Sequence, residues 1–136
     1  MNTVYLNGAW QPMAEARISP MDRGFLFGDG IYEVVPSYGG RAVGLGPHLR
    51  RMRDGLAALE MDPGLTEDDW RQLVGELISR NGAGNLGIYL HVSRGAYEKR
   101  NHAFPEETRA TVFGYGFEIP PAPSGDPGPR FSASRS

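Results

Sequence analysis

The densest run of chemically capable residues is Asp22-Arg23-Gly24-Phe25-Leu26-Phe27-Gly28-Asp29-Gly30-Ile31-Tyr32-Glu33-Val34-Val35, in which charges and aromatics are set among glycines. Composition leaves two readings open, a tight loop leading into a strand or a functional loop, since both need the same backbone freedom. Amine and thiol chemistry is sharply restricted. Lys99 is the only lysine among 14 basic residues, so a reaction through an amine has one candidate. With no cysteine there is no thiolate nucleophile, no disulfide and no Cys-ligated metal. His48, His91 and His102 lie far apart and none falls in an H-E-x-x-H or comparable spacing, which argues against a metal site. No G-x-x-x-x-G-K-[ST] or G-x-G-x-x-G phosphate loop is present, and Gly28-Asp29-Gly30 and Gly114-Tyr115-Gly116 read as turn or bulge glycines. There is no G-x-S-x-G elbow for a serine nucleophile.

The elements that must position these residues are readable from periodicity. Val4-Tyr5-Leu6 and Ala9-Trp10 flank Asn7-Gly8, which predicts a β-hairpin. Residues 31–38 are rich in β-branched and aromatic residues, and Gly39-Gly40 turns them back onto Arg41-Ala42-Val43 as a second hairpin, with Pro36 implying an irregular or edge position. Residues 48–61 place Leu49, Met52, Leu56 and Leu59 on one helical stripe. Thr66 and Asp69 form a capping-box-like start, followed by Trp70, Leu73, Val74, Leu77 and Ile78 at helical spacing and by Asn81-Gly82 as a stop. Ile88, Leu90 and Val92 alternate with polar or aromatic residues, a charged loop covers residues 95–109, and residues 111–117 form a further strand. Strands, two helices and strands in that order predict an α+β domain with helices on a largely antiparallel sheet.

Composition bounds the rest. A chain of 136 residues fits one ordinary domain, so chemistry needing a two-domain cleft must borrow a second chain. The net charge of -2 and pI near 5.9 offer no field for nucleic acid or anionic lipid. No leader-like start and no apolar run of membrane-spanning length is found, so a cytoplasmic location is expected. The 19 glycines and 11 prolines predict dense turns or unstructured sequence, and from residue 118 the Pro/Ser/Gly-rich EIPPAPSGDPGPRFSASRS is expected to be a disordered tail to a domain at 1–117.

From about Val4 to about Phe117 the chain resembles the N-terminal part of the class IV (fold-type IV) pyridoxal-phosphate aminotransferases, and most the D-amino acid aminotransferase branch. Five motifs in order carry the resemblance: Leu6-Asn7-Gly8, D-R-G-F-x-F-G-D-G-I-Y-E-V-V at 22–35, His48-Leu49-Arg50-Arg51, Val92-Ser93-Arg94-Gly95, and Arg100-x-His102-x-Phe104-Pro105-Glu106. The expected fold is therefore the small N-terminal domain of that family.

The resemblance also implies a site. Arg51 would bind the phosphate of pyridoxal 5'-phosphate, a task suited to a guanidinium that offers two donors. Tyr32 would line the pocket beside the cofactor and help hold the substrate carboxylate, with Val34 on the same face of the strand. Arg100 and His102 resemble an R-x-H pair that reaches from the partner subunit of a homodimer to trap the substrate α-carboxylate, which favours a D-amino acid such as D-alanine and a 2-oxo acid such as 2-oxoglutarate. Pro36 departs from the pattern, standing where that branch usually carries a basic residue. The lysine that joins the cofactor covalently, the carboxylate facing its ring nitrogen and the Ser/Thr phosphate cup belong to a second, larger domain of the family, so no catalytic residue is expected in this chain. Beyond Phe117 the change of composition is what translation in a shifted frame would leave. Two alternatives remain: a catalytically inactive fragment serving as a binding or dimerisation module, and a relative of the branched-chain aminotransferases or aminodeoxychorismate lyases, which share the fold.

Overall fold

Asn7 and Gly8 both take positive φ, 52° and 92°, the conformation that a two-residue hairpin turn demands and that Asn-Gly adopts at least cost. They join β1 (Thr3–Leu6) to β2 (Ala9–Pro12) in the expected hairpin. Gly39 and Gly40, at 57° and 86°, do the same between β3 (Gly30–Tyr38) and the two-residue β4 (Arg41–Ala42). In this computed structural model, which describes residues 2–82, 84–96 and 109–122, these strands combine with β5 (Leu86–Ser93) and β6 (Thr111–Glu118) into one six-stranded sheet. Its order is β2-β1-β6-β5-β3-β4 and every pairing is antiparallel.

Pro36 is accommodated by that topology. Its carbonyl accepts from the Val43 N–H at 2.8 Å, so its ring nitrogen faces the side where the short β4 ends, and the missing N–H costs no bond to β5. The strand is paired on both sides, but the proline sits where one of those ladders stops.

Two long helices cover one face. α1 (Arg23–Phe27) is a short extra helix that leaves no periodic signal in the sequence, because five residues are too few to show a repeat. Asp22 caps it by accepting from Gly24 N at 2.8 Å, and Gly28 ends it at a φ of 65°. α2 (Leu45–Ala58) starts earlier than the apolar stripe alone suggests, because Pro47 lies in the first turn, where its missing N–H has no helical partner to lose. Leu49, Met52 and Leu56 are buried as expected, while Leu59 falls at the C-cap and is partly exposed. α3 (Glu67–Arg80) begins with the full capping box: Thr66 Oγ1 accepts from Asp69 N, and the Asp69 carboxylate accepts from Thr66 N. All five apolar positions of its stripe are buried.

The core lies between these helices and the inward residues of β3, β5 and β6, led by Val35, Ile88, Leu90, Val92 and Val112. Gly114 and Gly116 belong to β6 and are not turn glycines. A Cβ at Gly114 would come within 3.0 Å of Leu77 and 3.4 Å of Leu73, so its absence lets α3 lie close on the sheet. Residues 123–136, which hold most of the expected tail, lie outside the described residues. Glu118 still belongs to β6, and Ile119 N donates to Asn85 O at 3.0 Å. Among the described residues no helix is long and apolar enough to cross a membrane.

Candidate functional site

Strand pleating separates the central residues of β3 into two groups. Ile31, Glu33, Val35 and Ser37 face the helices, whereas Tyr32 and Val34 face the uncovered side. A carboxylate at an inward position needs a cation, because an unpaired buried charge is expensive. α2 supplies two candidates. Arg51 donates from Nε to Glu33 Oε2 and from Nη2 to Oε1, each at 2.8 Å, a two-toothed pairing. His48, one turn earlier, brings Nδ1 to 2.7 Å from Glu33 Oε1 and 3.3 Å from Arg51 Nη2. Burial pushes the Glu33 carboxyl up, but the bonds and charges of Arg51 and His48 outweigh it and hold the group below its ordinary value. The Glu33 bonds and charge raise Arg51 in turn.

The uncovered face is aromatic. Tyr32, 62% exposed, stacks on Tyr89 with ring centroids 5.5 Å apart and planes at 25°. Tyr89 also meets Tyr115 at 5.4 Å and His91 at 5.8 Å. Burial raises the Tyr89 phenol, with smaller contributions from Tyr115 and Tyr32. Burial lowers His91 and favours the neutral imidazole, against an opposing pull from Asp22.

A third cluster fastens the ends of these strands. Asp22 Oδ1 accepts from Ser93 Oγ at 2.6 Å, and Oδ2 from Thr111 Oγ1 at 2.6 Å. Ser93 ends β5 and Thr111 opens β6, so a single buried carboxylate joins the two stems flanking the segment that carries Arg100 and His102. Asp29 Oδ2 accepts from Arg23 Nε and Arg94 Nε, both at 2.8 Å. Burial raises the Asp29 carboxyl, and the two arginines more than compensate, leaving it below the ordinary carboxylate range. Two of the sequence motifs, at 22–35 and 92–95, thus meet in space.

The structure gathers the expected site residues only in part. Arg51 is held from the helix side of β3, while Tyr32 and Val34 share the opposite face. Arg100, His102 and Lys99 lie outside the described residues. Sequence reasoning passed over the roles of Glu33, His48 and Asp22. An acidic residue between apolar Ile31 and Val35 in an alternating strand was the available signal for Glu33, since it points a carboxylate into the core. Among the described residues no cluster of His, Cys, Asp or Glu could hold a metal ion.

The amino-transferase class IV family model matches residues 30–134, a span that begins with β3 and includes most of the Pro/Ser/Gly-rich segment. The chain belongs to the class IV aminotransferases. A D-alanine aminotransferase of Staphylococcus haemolyticus is 37% identical over 105 residues, covering 77% of this chain and 37% of that protein. The class IV chain therefore spans little more than a third of the length of the curated relatives it matches. Its fold matches a branched-chain amino acid aminotransferase from Escherichia coli with a TM-score of 0.79 at 14% identity, over 87% of this chain and 41% of that one. It also matches a hypothetical aminotransferase from Mycobacterium tuberculosis in its PLP-bound form, with a TM-score of 0.70 at 18% identity, over 87% of this chain and 40% of that one. The observed sheet and its two long helices are those of the N-terminal domain of class IV aminotransferases.

The donor set at Arg51 fits the phosphate end of pyridoxal phosphate. Its side chain is 66% exposed, its Nε and Nη2 are fixed by Glu33, and Nη1 makes no hydrogen bond among the described residues. A guanidinium with one edge fixed and the other open to solvent is well arranged for a doubly charged anion.

Proposed function

We propose that this chain provides the small-domain half of a pyridoxal-phosphate-dependent D-amino acid aminotransferase site, working in a cytoplasmic homodimer on a D-amino acid such as D-alanine and a 2-oxo acid such as 2-oxoglutarate. When bound, pyridoxal phosphate supplies an electron sink for the α-carbon of the amino acid. The residues of this chain bind and orient. Arg51 holds the phosphate through its open edge. Tyr32 and Val34 form a wall of the pocket, and the Tyr32 hydroxyl, with Arg100 and His102 from the partner subunit, takes the substrate carboxylate. Residues 1–117 form the small-domain unit in this reading, and 118–136 follow it.

The observation that carries the proposal is the exposed Arg51 guanidinium pinned by a buried carboxylate within a class IV fold. Identity of 37% to a D-alanine aminotransferase supports the D-amino acid branch. Pro36, in place of the branch's usual basic residue, supports a second reading, a relative with a different substrate end such as a branched-chain aminotransferase. Titration of the chain with pyridoxal phosphate and with pyridoxal tests the phosphate role. The phosphorylated form is expected to bind about ten- to a hundredfold tighter, the worth of one or two charge-assisted bonds, and Arg51→Ala to abolish the difference. Equal binding of the two forms overturns the proposal. Turnover assays of the dimeric enzyme with D-alanine and L-leucine separate the two readings, since only the branched-chain relative accepts the latter well. No turnover is expected from this chain alone, because Lys99 adjoins Arg100 at the carboxylate end of the proposed site.

A further inference from the structure

We propose that Glu33 is a positioning residue whose role is to fix the Arg51 guanidinium for anion binding, an inference that rests on the phosphate role assigned to Arg51 above. Glu33 is 8% exposed and sits between apolar inward neighbours on β3. Core stability alone does not account for a carboxylate there, since an apolar side chain of similar volume at an inward strand position is commonly as stable as a buried ion pair or more so. The partner is also unusual for a stabilising pair: Arg51 is largely exposed, and an exposed arginine contributes little to folding. Neighbouring Arg53 shows the ordinary case, meeting the adjacent Asp54 at 3.7 Å with both side chains exposed.

The geometry is instead that of a mount. The two Glu33 oxygens take Nε and Nη2, which fixes the guanidinium plane as well as its distance. His48 Nδ1 on Oε1 holds the carboxylate from a second direction, so it cannot turn with the arginine. The Nη1 edge stays open to solvent, where a phosphate accepts without reordering a long side chain. Fixing that side chain beforehand removes an entropy cost that otherwise weakens binding about two- to tenfold.

The test compares the 136-residue chain with Glu33→Gln, Glu33→Asp and Arg51→Lys, using inorganic phosphate as the probe and side-chain Nε–H NMR of Arg51 as the readout. In the wild type the Arg51 Nε–H signal should be sharp and protected from exchange, and should shift on phosphate addition. In Glu33→Gln it should broaden through solvent exchange, with phosphate affinity falling about two- to tenfold. Glu33→Asp keeps the charge but ends one methylene short. It should weaken phosphate binding similarly, and it preserves the test if the amide variant does not fold. Charge alone predicts the reverse, because removing an anion beside the site strengthens phosphate binding. Affinity in Glu33→Gln equal to or tighter than wild type, or an unchanged Glu33→Asp, therefore overturns the positioning role alone. A wild-type Arg51 Nε–H signal that does not shift on phosphate addition overturns the phosphate reading and this inference with it, whereas Arg51→Lys binding phosphate as well as wild type overturns the need for a fixed fork alone.

Discussion

Asp22→Ala should be among the most damaging single polar-to-alanine changes in the described chain, and Asp22→Asn should be mild. The carboxylate is 3% exposed and accepts three bonds, from Ser93 Oγ and Thr111 Oγ1 at 2.6 Å and from Gly24 N at 2.8 Å. Truncation removes the N-cap of α1, costing ~1 kcal/mol. It also strands the buried Ser93 hydroxyl, for roughly 1–3 kcal/mol, whereas Thr111 is half-buried and reaches water at smaller cost. Relief of the buried charge offsets part of this, leaving a net loss of about 2–4 kcal/mol. At ~3–5 °C per kcal/mol for a chain of this size, the midpoint should fall by about 6–20 °C. Asparagine can satisfy all three partners, because its oxygen accepts from Gly24 N and Ser93 Oγ while its amide donates to Thr111 Oγ1. Its loss should be confined to charge assistance, about 1 kcal/mol. Urea and thermal unfolding of both variants measure the difference. An alanine variant within ~0.5 kcal/mol of wild type, or an asparagine variant as unstable as alanine, would refute the Asp22 clamp.

Gly95→Ala should cost at least ~2 kcal/mol, since Gly95 has a φ of +96° and a new Cβ would collide with the Arg109 carbonyl oxygen; unfolding titrations check this. Ser37→Ala should leave stability unchanged or raise it by up to ~1 kcal/mol, because the fully buried Ser37 hydroxyl has no hydrogen-bond partner among the described residues; a lower unfolding midpoint contradicts this. The folded-state carboxyl of Glu33 lies below its ordinary value of 4.5, so its contribution is present above that pH and is lost as pH falls through the lowered value. An acid titration of stability should therefore be shallower in Glu33→Gln below about pH 4.5, and identical slopes would contradict the pairing. His91 is held below its ordinary 6.5, so the unfolded chain binds its proton first and stability should decline as pH drops below that value. His91→Phe should remove that part of the decline, as read from midpoints between pH 5 and 7.

Local physics made much of the fold legible in the sequence. Asn7-Gly8 and Gly39-Gly40 specify turns because positive φ is cheap there, and the Thr66–Asp69 capping box and the Trp70 to Ile78 stripe specify a helix and its buried face within a few residues. The five motifs pointed to the family, and the family model agrees. What escaped was set by partners distant in sequence. α1 depends on the Asp22 cap and on contacts to the end of β5 more than on any repeat of its own. Gly114 and Gly116 have the composition of a turn, and only the packing of α3 against β6 makes them strand residues.

The site divides in the same way. The sequence by itself determined that Arg51 is a fork donor on a helix and that Tyr32 and Val34 share a strand face, because residue type and pleat are local properties. Tertiary structure decided which of the neighbouring arginines is pinned. Glu33 reaches Arg51 across 18 positions and His48 across 15, and Asp22 reaches Thr111 across 89. Sequence spacing carries no distance over such intervals; it takes the packing of α2 on β3, and of β5 on β6, to turn separate charged residues into a mounted guanidinium and a clamped pair of strand ends.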